Sequence, residues 1–254
     1  MWGTRMTLAR SLGITLLACA LVLTGCAQPA TRQDFDKDAA KRIRTILLAQ
    51  SPNQESFATG IPADLPLGFT GTVLDAIVLL VVVTAAVDSR NKTSRLTAAV
   101  DPIQTRLQDR FSEMLREGLN ALGYEVRIVV LPASGEPDQF LPFLRQQGPA
   151  DAALVAQLNG WVGQVKPDHG YYPLVSVRAK GFELASGTVL YEDTFSYGQP
   201  DPQSKSRQFP SDAKYRFTDI DAMVADPSKV REGWLAGMRL IADKILADVK
   251  SKPE

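Results

Sequence analysis

Residues 174–197 read LVSVRAKGFELASGTVLYEDTFSY, and this stretch decides the fold. Val175, Val177 and Ala179 alternate with Ser176, Arg178 and Lys180, the period of two expected of a strand with one buried face. A second strand-like run covers 188–197. Ala185-Ser186-Gly187 between them is a tight turn, so the two runs read as a hairpin. Upstream, 152–165 has the same character, with a break or bulge expected near Gly160 and Gly163. Residues 124–131 and 43–49 complete a set of five strands.

Helical periodicity surrounds these strands. Ile103, Leu107, Phe111, Met114, Leu115, Leu119 and Leu122 recur at spacings of three and four. Asp101 caps the free amides, Pro102 takes the first helical position and Gly123 supplies the stop. At the other end, Val230, Trp234, Met238, Ile241, Ile245 and Val249 line one side of a helix over 228–249, with Ser228 as its cap. Shorter helices are expected near 138–147 and 217–225. Residues 51–68, with Pro52, Pro62 and Pro66, and the polar 198–214 read as loops. The expected class is α+β: a five-stranded mixed sheet packed by two long amphipathic helices.

The amino terminus has a different character. Arg5 and Arg10 come first, and no acidic residue precedes Asp34. Leu12–Leu23 is almost wholly apolar, about a dozen residues, which suits a signal peptide and falls short of the ~20 that a spanning helix needs. Leu23-Thr24-Gly25-Cys26 follows. This resembles the lipobox of bacterial lipoproteins, and the resemblance implies cleavage before Cys26 and acylation of that cysteine. Ala27 in place of aspartate implies sorting to the outer membrane. The expected organisation is a signal peptide over 1–25, a lipidated tether over 26–40 and one periplasmic domain over 41–254.

Removal of residues 1–25 takes Arg5 and Arg10 with it, leaving 26 basic against 28 acidic side chains, a net charge of −2. That balance gives no electrostatic reason to expect nucleic-acid binding. Cys19 leaves with the signal peptide, so Cys26 stands alone and the domain has no disulfide.

One segment resists assignment. Residues 72–87, TVLDAIVLLVVVTAAV, hold an unbroken apolar run from Ala76 to Val83. Length favours a buried helix and the valines favour a strand. A sharper alternative is a surface that inserts into a membrane or is buried in a homo-oligomer.

Catalytic patterns are sparse. His169 is the only histidine, and one histidine without a cysteine partner is a poor zinc site. There is no Gly-x-Ser-x-Gly elbow and no glycine-rich phosphate motif. The acidic pairs Glu192/Asp193 and Asp219/Asp221 would serve glycoside chemistry only if they faced a cleft; a solvated edge or a helix start is the plainer reading. Trp161, His169, Tyr171 and Tyr172 could form a contact loop, since rigid aromatic surface suits interfaces. No enzyme, cofactor or metal is expected. A hydrolase of envelope glycans or lipids is the remote alternative.

Residues Ala150-Asp151, then 175–179, then Ser186-Gly187-Thr188-Val189-Leu190, resemble the strand motifs of curli-secretion (CsgG-like) and penicillin-binding-protein-activator lipoproteins. That resemblance implies a mixed sheet packed by helices, similar to the amino-terminal domain of the TolB translocation protein, and transfers no binding site. Over most of its length the chain also resembles an uncharacterised family of proteobacterial periplasmic lipoproteins, through residues 91–96, 189–193 and 214–217. The expected function is a lipid-anchored, non-enzymatic envelope protein that binds an envelope partner, helps assemble a complex, or associates with itself.

Overall fold

The computed structural model describes residues 32–57, 59–60, 91–165, 170–198 and 206–250. Residues 1–25, read as a signal peptide, Cys26, the 72–87 segment and His169 lie outside the described residues.

Among the described residues, a mixed sheet of seven strands carries the fold. The strands are β1 (Thr45–Gln50), β2 (Thr59–Gly60), β3 (Glu125–Val130), β4 (Ala152–Val165), β5 (Gly170–Glu183), β6 (Val189–Tyr197) and β7 (Arg207–Phe209). Six lie in the order β3-β1-β4-β5-β6-β7, and β2 pairs with β4 beyond the end of β1. The pairs β3–β1, β1–β4, β2–β4 and β6–β7 are parallel; β4–β5 and β5–β6 are antiparallel. The five expected strands are therefore present, and two more come from segments read as loops.

The hairpin closes at Gly187, whose φ of +80° is the left-handed conformation that glycine adopts freely. β4 runs unbroken through its glycines. Each fills a crowded place: a Cβ at Gly160 would lie 2.6 Å from Leu107, and one at Gly163 would lie 2.8 Å from Leu174. These glycines answer a requirement for space, and the expected break is absent.

Two helices cover one face of the sheet, α1 (Leu107–Ala121) and α2 (Pro227–Val249). Leu107, Phe111, Leu115 and Leu119 of α1 are buried with Trp234, Met238, Ile241 and Ile245 of α2 against Leu154, Ala156, Val177 and Phe195. Gly233 and Gly237 let α2 come close, since a Cβ would lie 2.6 Å from Pro173 at the first and 2.5 Å from Tyr197 at the second.

Three expectations about the helices need correction. The 101–122 helix is split: Asp101 does cap Pro102–Thr105, but Arg106 is left-handed (φ 42°, ψ 55°) and a new helix starts after it. The split turns Ile103 out of the apolar stripe, and it is 84% exposed. The cap of α2 is Asp226, which accepts from the Lys229 N–H, with Pro227 at the first helical position in place of Ser228.

Part of the 26–40 segment read as a tether is folded. Gln33 forms an antiparallel bridge with Glu192, the Asp36 N–H donates to the Leu190 carbonyl at 3.0 Å, and Phe35 packs on the core. A helical turn Lys37–Ala40 follows, with Ala39 buried. Residues 32–39 therefore belong to the folded body, laid along the outer edge of β6.

Candidate functional site

Among the described residues, the sheet's second face is uncovered in its middle. At one end Phe140 and Leu144, carried by the turn Pro137–Phe140 and the helix Leu141–Arg145, bury Leu47, Ala49, Ala153, Val155 and Phe182. At the other end Val165, Tyr172 and Leu174 form a small cluster with Trp161 against it. Between them lie polar and charged side chains, of which Lys180 and Glu192 are only 7% exposed.

Strand pairing assembles this charged centre. Lys180 and Glu192 are partners across the β5–β6 ladder, and Arg178 sits one step along on the same face. The Lys180 Nζ lies 3.1 Å from Glu192 Oε2 and 2.8 Å from Asp138 Oδ2. Arg178 contacts Glu136 and Glu192. Burial pulls the Lys180 ammonium down, but hydrogen bonds to Asp138 and Glu192 outweigh it and hold its pKa above the usual lysine value.

A second cluster lies at the β6 edge on the helix-covered side. Arg207 of β7 places Nε 2.7 Å from Asp193 Oδ2 and Nη1 2.6 Å from Asp248 Oδ2 of α2, and Lys244 reaches Asp248 at 2.9 Å. Asp193 is 1% exposed; burial pushes its carboxyl above the ordinary aspartate value against the pull of Arg207. Burial also pushes up Asp248, yet hydrogen bonds from Lys244 and Arg207 prevail and hold it low. Tyr191 donates to Asp248 at 3.3 Å, and burial raises its hydroxyl pKa.

Glu192 and Asp193 are therefore not a solvated edge. They point to opposite faces of β6, each into its own cation cluster, so they cannot flank one substrate bond. Asp219 caps the helix Ile220–Ala225 through the Ala222 N–H, and Asp221 pairs with Arg95 at 2.6 Å. Both acidic pairs have structural roles. Among the described residues no group of three or more His, Cys, Asp and Glu side chains could hold a metal ion.

The expected aromatic contact loop is not one surface. Tyr171 and Tyr172 are consecutive in β5 and so face opposite ways. Tyr172 is buried beside Leu174, while Tyr171 packs towards the helix side and bridges to Phe217. Trp161 is half-buried, its carbonyl accepting from the Trp234 indole at 2.9 Å.

A different surface stands out at the opposite edge of the sheet. Among the described strands β3 pairs with β1 alone, and its Ile128 and Val130 are 37% and 55% exposed. They border a groove of about 570 Å³ walled by Arg106, Asp109, Arg110 and Glu113. A signal for it is present in the sequence, since Glu-Val-Arg-Ile-Val-Val alternates only in its first half and then runs apolar on both faces.

No family model matches the chain, and no curated protein matches it. Among solved structures it is similar to the PelC dodecamer from Paraburkholderia phytofirmans, at 13% identity over 88% of this chain and 97% of that one, with a TM-score of 0.33. Protein XCC0632 from Xanthomonas campestris matches at 10% identity over 88% and 89%, TM-score 0.35. Hypothetical protein CT253 from Chlamydia trachomatis matches at 10% over 82% and 98%, TM-score 0.33. Likeness of that degree transfers nothing to this chain.

Proposed function

We propose that this protein is an exported lipoprotein, cleaved before Cys26 and held by lipid to the periplasmic face of the cell envelope, where it acts by binding protein rather than by catalysis. The observation that carries the reading is the order of Arg5 and Arg10, the apolar run over 12–23, and Leu23-Thr24-Gly25-Cys26. The short distance to the folded body agrees with it. Six residue steps separate Cys26 from Arg32, a reach of about 20 Å when fully extended. No described helix is long and apolar enough to cross a membrane, so a lipid on Cys26 would supply the attachment. Sorting to the outer membrane follows from Ala27.

The test is labelling of growing cells with an alkyne fatty acid, with and without an inhibitor of lipoprotein signal peptidase. Label on the protein, an unprocessed form when the peptidase is blocked, and loss of label in Cys26→Ser are expected. Absence of label from the intact chain, or a mature amino terminus other than Cys26, overturns the proposal.

A further inference from the structure

The docking of residues 33–36 fixes where the folded body is held. The Gln33 N–H donates to the Glu192 carbonyl at 2.7 Å and the Glu192 N–H returns a bond at 3.0 Å, so the segment runs antiparallel to β6 with residue 33 opposite residue 192. Arg32 accordingly falls beside Asp193, its Nε 3.8 Å from Asp193 Oδ2. Two residues further along β6 the same edge passes to β7, where Arg207 pairs with Phe195. The place opposite Phe195 is therefore taken, and the body is held at Arg32, in the middle of the β6 edge.

We propose that this side of the molecule, the β6 edge with the flank of α2 beside it, rests on the lipid surface that holds Cys26. The placement rests on the anchoring argued above and adds to it the face that meets the bilayer. Six residue steps from Cys26 to Arg32 span about 20 Å at full extension and about 13 Å as a flexible chain. An acylated cysteine sits at the glycerol level, beneath a headgroup layer of about 5–8 Å, so roughly 12–15 Å of the full reach remains above the surface. β3 lies four strand spacings from β6, about 19 Å away. A body resting on its β3 edge would hold Arg32 at least that high, beyond the reach of the tether.

The described side chains here suit a lipid contact. One flank of α2 adjoins the edge: a Cβ at Gly237 would lie 2.5 Å from Tyr197 of β6, and Lys244 joins Asp248, which holds Arg207 of β7. Leu240 stands three residues after Gly237 and four before Lys244, hence on that flank, and it is 46% exposed. Of the exposed large apolar side chains among the described residues, Leu240 belongs to this side, whereas Ile128 and Val130 belong to β3. The Arg32 and Lys244 side chains are 53% and 40% exposed. Each has an apolar stem that can lie along the bilayer boundary while its charge meets lipid phosphate. Asp34, paired with Arg32, offsets part of that charge, so the contact suits a bilayer surface rather than one kind of headgroup.

The lipidated full chain, in vesicles of phosphatidylethanolamine and phosphatidylglycerol, tests the placement. Cys26 carries the lipid and Cys19 precedes the cleavage point, so a cysteine introduced at an exposed position is the one free thiol. A fluorophore on Leu240→Cys should be quenched severalfold more strongly by headgroup nitroxide lipids than one on Val130→Cys. Insertion of about twelve Gly and Ser residues between Ala30 and Thr31, ahead of the folded body, lengthens the reach to about 60 Å. The body is then free to turn, and the difference between the two positions should vanish. Equal quenching at both positions with the natural tether, stronger quenching at Val130, or a difference that survives the insertion overturns the placement. Fatty-acid labelling of the same preparation keeps the two readings apart. Absence of label removes anchoring and placement together, whereas labelled protein quenched equally at both positions removes the placement alone.

Discussion

Asp151 holds the start of β1 by its backbone: its Oδ2 accepts from the Thr45 N–H at 2.8 Å and the Thr45 hydroxyl at 3.0 Å, and the Arg44 N–H adds a third bond at 2.7 Å. The Arg44 and Thr45 amides keep the carboxyl below the usual aspartate value. A low folded pKa means a contribution that is present above the unfolded value and lost as pH falls through the folded one. Asp151 is exposed and solvent screens its interactions, so Asp151→Asn should lower stability by less than about 1 kcal/mol at neutral pH. In denaturant titrations the gap between parent and variant should close below about pH 4; a gap that persists in acid would refute the role.

Lys180 and Glu192 share a desolvated place on the sheet, each 7% exposed. Removing Lys180 leaves Glu192 with the longer Arg178 contact at 3.4 Å alone, so Lys180→Met should cost about 2 kcal/mol, less than a fully stranded buried charge. The double replacement Lys180→Met with Glu192→Met should recover most of that loss, measured as a coupling in a double-mutant cycle. Additive losses would show that the two charges do not depend on each other.

Asp193 works in the opposite direction to Asp151. Burial raises its folded pKa, so its contribution is favourable at low pH and declines as pH rises through that raised value. Asp193→Asn should flatten this decline between the acid range and neutrality. An unchanged stability profile would mean that Arg207 fully offsets the burial.

Arg106 holds a left-handed backbone with a side chain ill suited to it. Left-handed conformations cost a non-glycine residue roughly 1 kcal/mol, and its exposed ion pair with Asp109 returns less than that. Arg106→Gly should leave the melting temperature unchanged or raise it, while β-branched Arg106→Val should lower it. The reverse ranking would show that the split between 102–105 and α1 is not set by the backbone at this residue.

The hairpin over 174–197 and the stripes of α1 and α2 were legible because a buried face imposes its own period on the residues. β7 and the Gln33 bridge were not: they are three residues and one, and their hydrogen bonds come from β6 rather than from their own neighbours. The helix break was hidden for a related reason, since nothing about arginine announces a left-handed residue. Charge burial escaped as well, because Lys180 gains its partner Asp138 from a turn 42 positions upstream. Tyr171 and Tyr172 were read in a loop because Gly170 and Pro173 flank them; β5 runs through both, and alternation sends them to opposite faces.

The docking of residues 33–36 along β6 has a consequence for growth. A sheet that is open on both sides can recruit copies without limit and become a fibre. Here the β6 side ends in a crossing segment and a three-residue strand, neither long enough to template another chain. Of the two outer strands among the described residues, β3 is therefore the one that keeps a full row of outward amides.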